Sequence, residues 1–530
     1  KLAGLKAPTS CNIIWYGPPL SRNLHTDEDF VALRTMPHAR SSKLPGMSQC
    51  MVKSEMTRSF RRHERLLGHP SGTFAPFYPK SFVFPSEAAG IQAAFAPPGT
   101  GGGGAAGGGS GPGPWAILKP SIGSQGTGIL ITRASNALEV LYRKPTAAPP
   151  TPTTLPAIKP PPPQPGAAPG LDWSHAFVHE HVVQEYIERP LLLDGLKFDL
   201  RLYAVVCDVA PLRVYLCREG LARFCTVPYE PPAAAGAGAP PPLPGTIGAV
   251  QGHLTNYSYQ KDLPNFLYSN DPHGEGSSKR SLSSTLEHLA ATHAQFSVGR
   301  FWDQAATVVQ ATLLASQSHL IGAYGALGFP VVSGGLEGGG LRAPPFSCFQ
   351  VLGIDVMLDA DCRLYLLEGN CAPSLNLTIP DPMHKGLKYA VIKSPVDHYV
   401  KKTMLTGALK IAEESIDQGK AFDPFADPFV RKWYLDASPP PGGGGRLDQA
   451  LPWRLYELFL KKAAVNHVRR RLVTCDKGFA QGVVRQLVLL AAERADAMVT
   501  NGARRATMKG SAVGKVKLAN ELVQGMGRKS

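Results

Sequence analysis

Once the low-complexity runs are set aside, apolar and polar positions along the chain sort into a series of short strands and helices. Asn12–Tyr16 reads as a first strand, and Met51–Leu67, carrying Lys53, Arg58, Arg61, Arg62 and Arg65, as a basic helix. Phe82–Pro85 is extended and halted by its proline. Trp115–Lys119 and Gly128–Thr132 are apolar strands around a small-residue loop. Val182–Ile187 and Phe198–Val206, joined by Arg189–Gly195, are further strands, and Val214–Leu216 is another. Phe301–Leu320 has helical periodicity, carried by Ala305, Val308, Val309, Thr312 and Leu313. Two apolar runs, Gln350–Leu358 and Arg363–Asn370, flank a short polar turn and predict a β-hairpin. The order of elements implies an α+β chain of several lobes, without an internal repeat.

The hairpin brings the first chemistry. A four-residue turn, Asp359–Cys362, places Asp355 opposite Leu366, and Glu368 and Asn370 follow at the strand period of two, so the three share one face. An odd-length turn would put Asp355 on the other face. Taken alone, the trio is either an all-oxygen ligand set of the kind that hard cations such as Mg²⁺ prefer, or the solvated acidic face of a surface hairpin.

Other segments carry similar double readings. The strand ending at Lys119 opens into Ser121-Ile-Gly-Ser-Gln-Gly-Thr-Gly128, a loop whose backbone N–H groups can wrap phosphates while Lys119 supplies charge, or a plain hairpin turn. It is neither a Walker motif nor a dinucleotide fingerprint, because no Lys-Ser or Lys-Thr follows the last glycine and the loop opens into a strand. Val182–Ile187 offers backbone to an adenine edge, or is an ordinary buried strand. Lys197, Asp199 and Arg201 line one face of a strand whose other face is Phe198, Leu200 and Leu202, which suits a phosphate and metal site or a solvated sheet face. Arg223, Lys261 and His253-Leu-Thr-Asn-Tyr257 add donors. His179 and His181 lack a third ligand at useful spacing and read as surface histidines. No Gly-x-Ser-x-Gly elbow supports nucleophilic hydrolysis.

Composition narrows the classes. A chain of 530 residues exceeds one ordinary core. Its 55 Gly and 49 Pro concentrate in a few runs that read as flexible insertions. Nine Cys without a Cys-x-x-Cys pair argue for a reducing compartment and against a zinc module. No apolar run approaches the roughly 18 residues that span a bilayer, so no membrane is expected. Lys1 has no signal-peptide pattern behind it, and the chain is expected to begin inside a longer protein. The net charge of +15 calls for an anionic partner.

Together, Lys119-Pro with Ser124-Gln-Gly-Thr-Gly-Ile129, Gln184-Glu-Tyr-Ile187, Arg189-Pro-Leu-Leu-Leu-Asp-Gly-Leu-Lys-Phe-Asp-Leu-Arg-Leu-Tyr203, His253-Leu-Thr-Asn-Tyr257 and the hairpin resemble the tubulin tyrosine ligase-like family, whose fold is ATP-grasp. The resemblance covers about Asn12–Glu414, and Pro211–Tyr215, Gly220–Phe224 and Ser278–Leu282 are similar to its polyglutamylase branch. It implies an ATP-dependent ligase that joins free L-glutamate to glutamate side chains of acidic tubulin tails through an acyl phosphate. Lys53, Lys119 and Lys197 would contact phosphates or substrate, with Ser124, Gln125, Gly126 and Gly128 in the phosphate loop. Gln184, Glu185, Tyr186 and Ile187 would form the adenine hinge. Asp199, Arg201 and Arg223 would surround the γ-phosphate end, Thr255 and Asn256 would hold the reacting groups, and Asp355, Glu368 and Asn370 would bind Mg²⁺. Two departures stand out: Gly369 where the family usually has Val, and Ala372-Pro-Ser-Leu for Ser-Pro-Ser-Phe. A glycine or tyrosine ligase on the same scaffold, and a catalytically silent microtubule-binding axonemal protein, are the alternatives.

Composition and the resemblance together divide the chain into an expected N-terminal lobe at 1–96, a Gly-rich insertion at 97–114 and a central lobe at 115–206 interrupted at 145–170. A C-terminal lobe at 207–420 is interrupted at 231–245 and 334–345, and a linker at 421–450 leads to a basic helical extension at 451–530. That extension holds 16 Lys and Arg against 5 Asp and Glu, most of the basic excess of the chain. Its two amphipathic helices either rest on the acidic microtubule surface or are ordinary solvated helices, whereas nucleic acid is not expected because no aromatic-basic recognition motif accompanies them. Accessory or axonemal partners, and a cytoplasmic, cytoskeletal place at a ciliary axoneme or basal body, complete the expectation.

Overall fold

The alternation of apolar residues in Ser81–Phe84 (β1), Trp115–Pro120 (β2), Leu130–Arg133 (β3) and His181–Glu185 (β4) builds an antiparallel sheet in the order β1-β4-β2-β3. The basic helix forms as Lys53–Leu67 (α1). Phe84, Ala116, Leu118 and Val183 pack one face of this sheet against Ala88–Phe95 (α2) and Ala137–Tyr142 (α3). By the strand period of two, Ile117, Lys119 and Gln184 occupy the opposite face. The computed structural model describes residues 13–14, 40–67, 76–95, 113–123, 126–142, 180–209, 212–232, 250–326, 348–381, 391–414 and 423–439. Two compact units divide the chain: Lys1–Leu320 with Val331–Gly443, and Ile321–Pro330 with Gly444–Ser530. Of the second, the described part is the helical stretch 321–326. Ser124, Gln125, His179, the basic extension and most of the glycine- and proline-rich insertions lie outside the described residues.

The larger sheet is organised on one long strand. It comprises Leu192–Leu193 (β5), Leu196–Val209 (β6), Leu212–Cys217 (β7), Leu221–Phe224 (β8), Lys279–Ser281 (β9), Gln350–Leu358 (β10), Leu364–Asn370 (β11) and Tyr434–Asp436 (β12). The order is β9-β8-β6-β10-β11, with β5 and β7 also on β6 and β12 on β7. β6 is apolar on both faces over its second half, which explains its length. Phe198, Leu200, Leu202, Ala204 and Val206 are buried on one side. On the other, Tyr203, Val205 and Cys207 pack against buried Val396, Val400, Met404 and Ile411 of the helix Pro395–Glu414. Lys197, Asp199 and Arg201 continue that second face past the end of the apolar cover, so charge begins where the core stops.

Helices cap and tie the sheet. Leu282–Thr292 (α4) starts at Ser281, whose hydroxyl accepts from the Ser284 N–H, and the buried Glu219 carboxylate accepts from Ser283 and Gly220 N–H groups. Val298–Ala326 (α5) extends beyond the expected Phe301–Leu320 at both ends. Its Gln304 side chain bonds the backbone of Cys362 and Leu364, and Gln317 donates to the Val209 carbonyl. Among the described residues no helix is long and apolar enough to cross a membrane.

Of the expected first strand, Ile13–Ile14 is described and pairs in parallel with Arg40–Ser41, while Asn12, Trp15 and Tyr16 lie outside the described residues. Two expectations are corrected. Residues 423–439, expected within a linker, fold instead: Asp427 caps the helix Pro428–Trp433, Val430 is buried there, and buried Tyr434 opens β12 against β7. The hairpin register also differs. Leu358 faces Leu364 across a five-residue turn, in which Asp359 accepts from the Asp361 and Arg363 N–H groups. That odd length alone would turn Asp355 away from Glu368. A bulge at Leu367 restores the face, so Asp355 stands opposite Glu368 rather than Leu366.

Candidate active site

The two sheets and the segment 253–256 enclose a cleft of about 630 Å³, counting its open mouth. From the smaller sheet come Ile117, Lys119, Gln184 and Glu185, from the segment that follows it Tyr186 and Ile187, and from the larger sheet Lys197, Asp199, Arg223, Asp355, Met357, Leu367 and Glu368. His253, Leu254, Thr255 and Asn256 close the third side. Twelve of the candidate residues therefore converge, although they are spread over more than 240 positions of the chain. The apolar lining of Ile117, Leu254, Met357 and Leu367 was not foreseen, because an apolar side chain carries no chemical signature in sequence.

Register explains the charge pattern. Asp199 pairs with Arg223 across β6 and β8, and Arg201 pairs with Asp355 across β6 and β10, so each carboxylate has a guanidinium as its cross-strand neighbour. Arg223 donates to both Asp199 oxygens, at 2.6 and 2.7 Å, and to Asp355 at 2.7 Å. Arg201 grips both Asp355 oxygens, and the Thr255 hydroxyl donates to Asp199 at 2.6 Å. Burial would raise the Asp355 carboxyl, but Arg201 and Arg223 outweigh it and hold the group well below the usual carboxylate range. Arg201 does not line the cleft; it stands behind Asp355. Gly353 makes room for it, since a Cβ there would lie 2.9 Å from Arg201 Cδ.

The lysines are less compensated. Lys119 Nζ donates to Gln184 Oε1 at 2.7 Å and to the Leu367 carbonyl at 3.4 Å, both neutral acceptors. Lys197 Nζ donates to the Tyr186 hydroxyl at 2.7 Å, and that hydroxyl meets His253 Nδ1 at 2.8 Å. Burial pushes Lys119 and Lys197 each down to about 8. It takes His253 to about 4, with the Lys197 charge adding to the effect. Buried ammonium groups whose hydrogen bonds go to neutral acceptors keep charge that a polyanion can pair with.

Lys53 reaches the site from the start of α1, 3.3 Å from Glu368 and 3.0 Å from the Gly123 carbonyl. Gly126, at φ +80°, comes close to Asn256, and Gly128 lies in the same loop at φ +72°. Asn370 is on the face of Glu368 and opposite Gly353; its Oδ1 accepts from the Ala372 N–H, and it does not line the cleft. Among the described residues no group of three His, Cys, Asp or Glu side chains gathers for a metal. Asp355, Glu368 and the Asn370 carboxamide nonetheless present oxygen donors on one sheet face, which fits a hard divalent cation. Glu368 is the most available of them, since its ion pair with Lys53 is part-exposed.

Residues 31–405 match the pattern described as the Tubulin-tyrosine ligase family. The chain belongs to that family. It is 27% identical over 403 residues to the protein named tubulin polyglutamylase ttll-11 of Caenorhabditis elegans, covering 75% of this chain and 46% of that one. It is likewise 27% identical over 409 residues to tubulin polyglutamylase TTLL11 of Homo sapiens, covering 76% and 46%. Over 230 residues it is 34% identical to human tubulin polyglutamylase TTLL7, covering 43% and 22%. The chain thus spans less than half the length of these curated relatives.

The departure at Gly369 has a partner. A Cβ at this position would overlap the Sδ of Met51, a buried side chain just before α1. Gly369→Val is expected to cost about 1–3 kcal/mol through overpacking, lowering the thermal midpoint. Met51→Ala in the same chain should recover much of the loss. A Gly369→Val protein as stable as the parent would show that Met51 is not held there.

Proposed function

We propose that this chain is an ATP-dependent ligase that adds glutamate to glutamate side chains of acidic tubulin tails. The observation that carries the reading is the single cleft in which Lys119, Lys197, Asp199, Arg223, Asp355 and Glu368 meet. A carboxylate is a poor electrophile. Its oxygen attacks the γ-phosphorus of ATP, ADP leaves, and an acyl phosphate remains. The amine of free L-glutamate then attacks the acyl carbon and loses a proton, and phosphate departs as the new amide forms. No covalent bond to the protein is needed.

Each group has a part. Lys119 and Lys197 neutralise phosphate oxygens, the Gln184–Ile187 backbone borders the base, and Arg223 stabilises the transferring phosphoryl group. Arg201 orients Asp355, while Thr255 and Asn256 hold the reacting groups near Asp199. Asp355, Glu368 and Asn370 would hold Mg²⁺, which supplies charge neutralisation at the phosphates. Tubulin as substrate makes the working place cytoskeletal. Purified protein given tubulin, ATP and labelled glutamate should incorporate label, and incorporation of glycine or tyrosine instead would replace this reading with another ligase.

The two lysines make nucleotide affinity depend on pH. Phosphate binding favours the ammonium form, and the free groups lose it above about 8. ATP affinity should therefore be level from about pH 6 to about pH 7.5 and fall above pH 8, by up to about tenfold per pH unit for each lysine. Titration with a fluorescent ATP analogue checks this, and affinity unchanged up to about pH 9.5 would contradict it.

A further inference from the structure

One strand beyond Arg223, a second group of cations gathers. β9 pairs with β8 so that Lys279 stands opposite Arg223. Its ammonium lies 2.8 Å from Asp397, which also takes Lys401 at 2.8 Å and the Ser394 hydroxyl at 2.7 Å. Lys401 in turn donates to the Asn376 carbonyl, in the segment that leaves β11. Along this row the buried carboxylates Asp199, Asp355 and Asp397 face buried Lys401 and the part-buried cations Arg201, Arg223 and Lys279. One positive charge is left over, and burial makes an uncompensated charge costly unless an anion joins it.

An independent observation stands beside it. Lys279 Nζ lies over the ring of Tyr257, 3.7 Å from the centroid. The Tyr257 hydroxyl is shielded from solvent and has no hydrogen-bond partner among the described residues. Buried hydroxyls ordinarily have one. Tyr257 follows Asn256, which lines the cleft, and Arg223 lines it from the other side. Neither Tyr257 nor Lys279 lines the cleft itself; each stands one position behind a residue that does, Asn256 in sequence and Arg223 in strand register. An unpaired donor and an excess cation directly behind that wall match a carboxylate, which accepts from both groups at once.

We infer that Tyr257 and Lys279 form a carboxylate-binding subsite adjoining Arg223, which holds a carboxylate of an amino-acid substrate. The inference rests on the ligase reading above. Free glutamate and the glutamate residue that accepts it both bring this group, and binding measurements separate them. The full chain, with a non-hydrolysable ATP analogue present, is titrated with L-glutamate, with L-glutamine and with a short glutamate-rich peptide. The parent should bind L-glutamate or the peptide, and glutamine, which lacks the side-chain charge, more weakly than glutamate if the free amino acid is the occupant.

Tyr257→Phe and Lys279→Met should weaken the occupant by at least about tenfold while leaving affinity for the ATP analogue unchanged. Tyr257→Phe removes a hydroxyl with no hydrogen-bond partner among the described residues, so its thermal midpoint should match the parent even if Lys279→Met unsettles Asp397. Loss confined to L-glutamate assigns the subsite to the free amino acid, and loss confined to the peptide assigns it to the acceptor. Unchanged binding of both ligands by Tyr257→Phe and Lys279→Met overturns the inference, as does a parent that binds neither. A parent that binds L-glutamate through these residues yet ligates nothing keeps the subsite and removes the ligase reading.

Discussion

Glu368→Gln is expected to abolish glutamate incorporation while leaving the fold intact. The carboxylate lines the cleft opposite Asp355 across β10 and β11, where the proposed reading puts the divalent cation. Gln keeps the shape and one acceptor oxygen but removes the charge that a divalent cation needs. Activity should fall by at least about a hundredfold, equivalent to about 2.7 kcal/mol of transition-state stabilisation. Stability should barely move. The ion pair with Lys53 is 3.3 Å long with both side chains part-exposed, a class worth about 0–1 kcal/mol. Steady-state rates with the thermal midpoint as control decide it, and retained activity would mean that this wall of the cleft has been misassigned.

Arg223→Met should act on stability as well as activity. The guanidinium is the common counter-charge of Asp199 and Asp355, both buried, and removing one partner of such a set typically costs about 3–5 kcal/mol. The sign with pH follows from Asp355. Its folded-state pKa is depressed below the ordinary 3.8, so its contribution is complete above that value and is lost as pH falls toward the folded value. Without Arg223 the depression is smaller and less remains to be lost. The deficit of the variant against the parent should therefore be largest near neutrality and shrink as pH falls below about 4. Urea unfolding at several pH values measures this. A deficit that is absent at neutral pH, or that grows toward acid, would contradict the buried network.

Much of the site was legible because its logic is periodic. Lys197, Asp199 and Arg201 had to share a strand face, and they do, at the point where the apolar cover of β6 ends. The hairpin that carries Asp355 and Glu368 was legible as a hairpin, but its register was not. Turn length there depends on Asp359 accepting two backbone N–H groups, and the compensating bulge at Leu367 is a backbone feature with no residue-type marker. Arg201 reads as a ligand contact in sequence, and only the strand pairing places it behind Asp355.

Other features depend on distant partners. A glycine at 353 or 369 announces close approach without saying that Arg201 or Met51 is the neighbour. Tyr257 and Lys279 lie in separate segments, and nothing local links them before β9 pairs with β8. The folding of residues 423–439 rests on few apolar anchors, Val430 and Tyr434 among them, too sparse for periodicity to register.

The central claim is that ATP activates a carboxylate before an amine attacks it, and the fate of one oxygen tests this directly. With the full chain, ATP, L-glutamate and an acceptor peptide whose side-chain carboxylates carry ¹⁸O, each new amide should release one phosphate bearing a single ¹⁸O, with one ADP formed. Glutamate incorporation with unlabelled phosphate, or phosphate release without incorporation, would contradict the account.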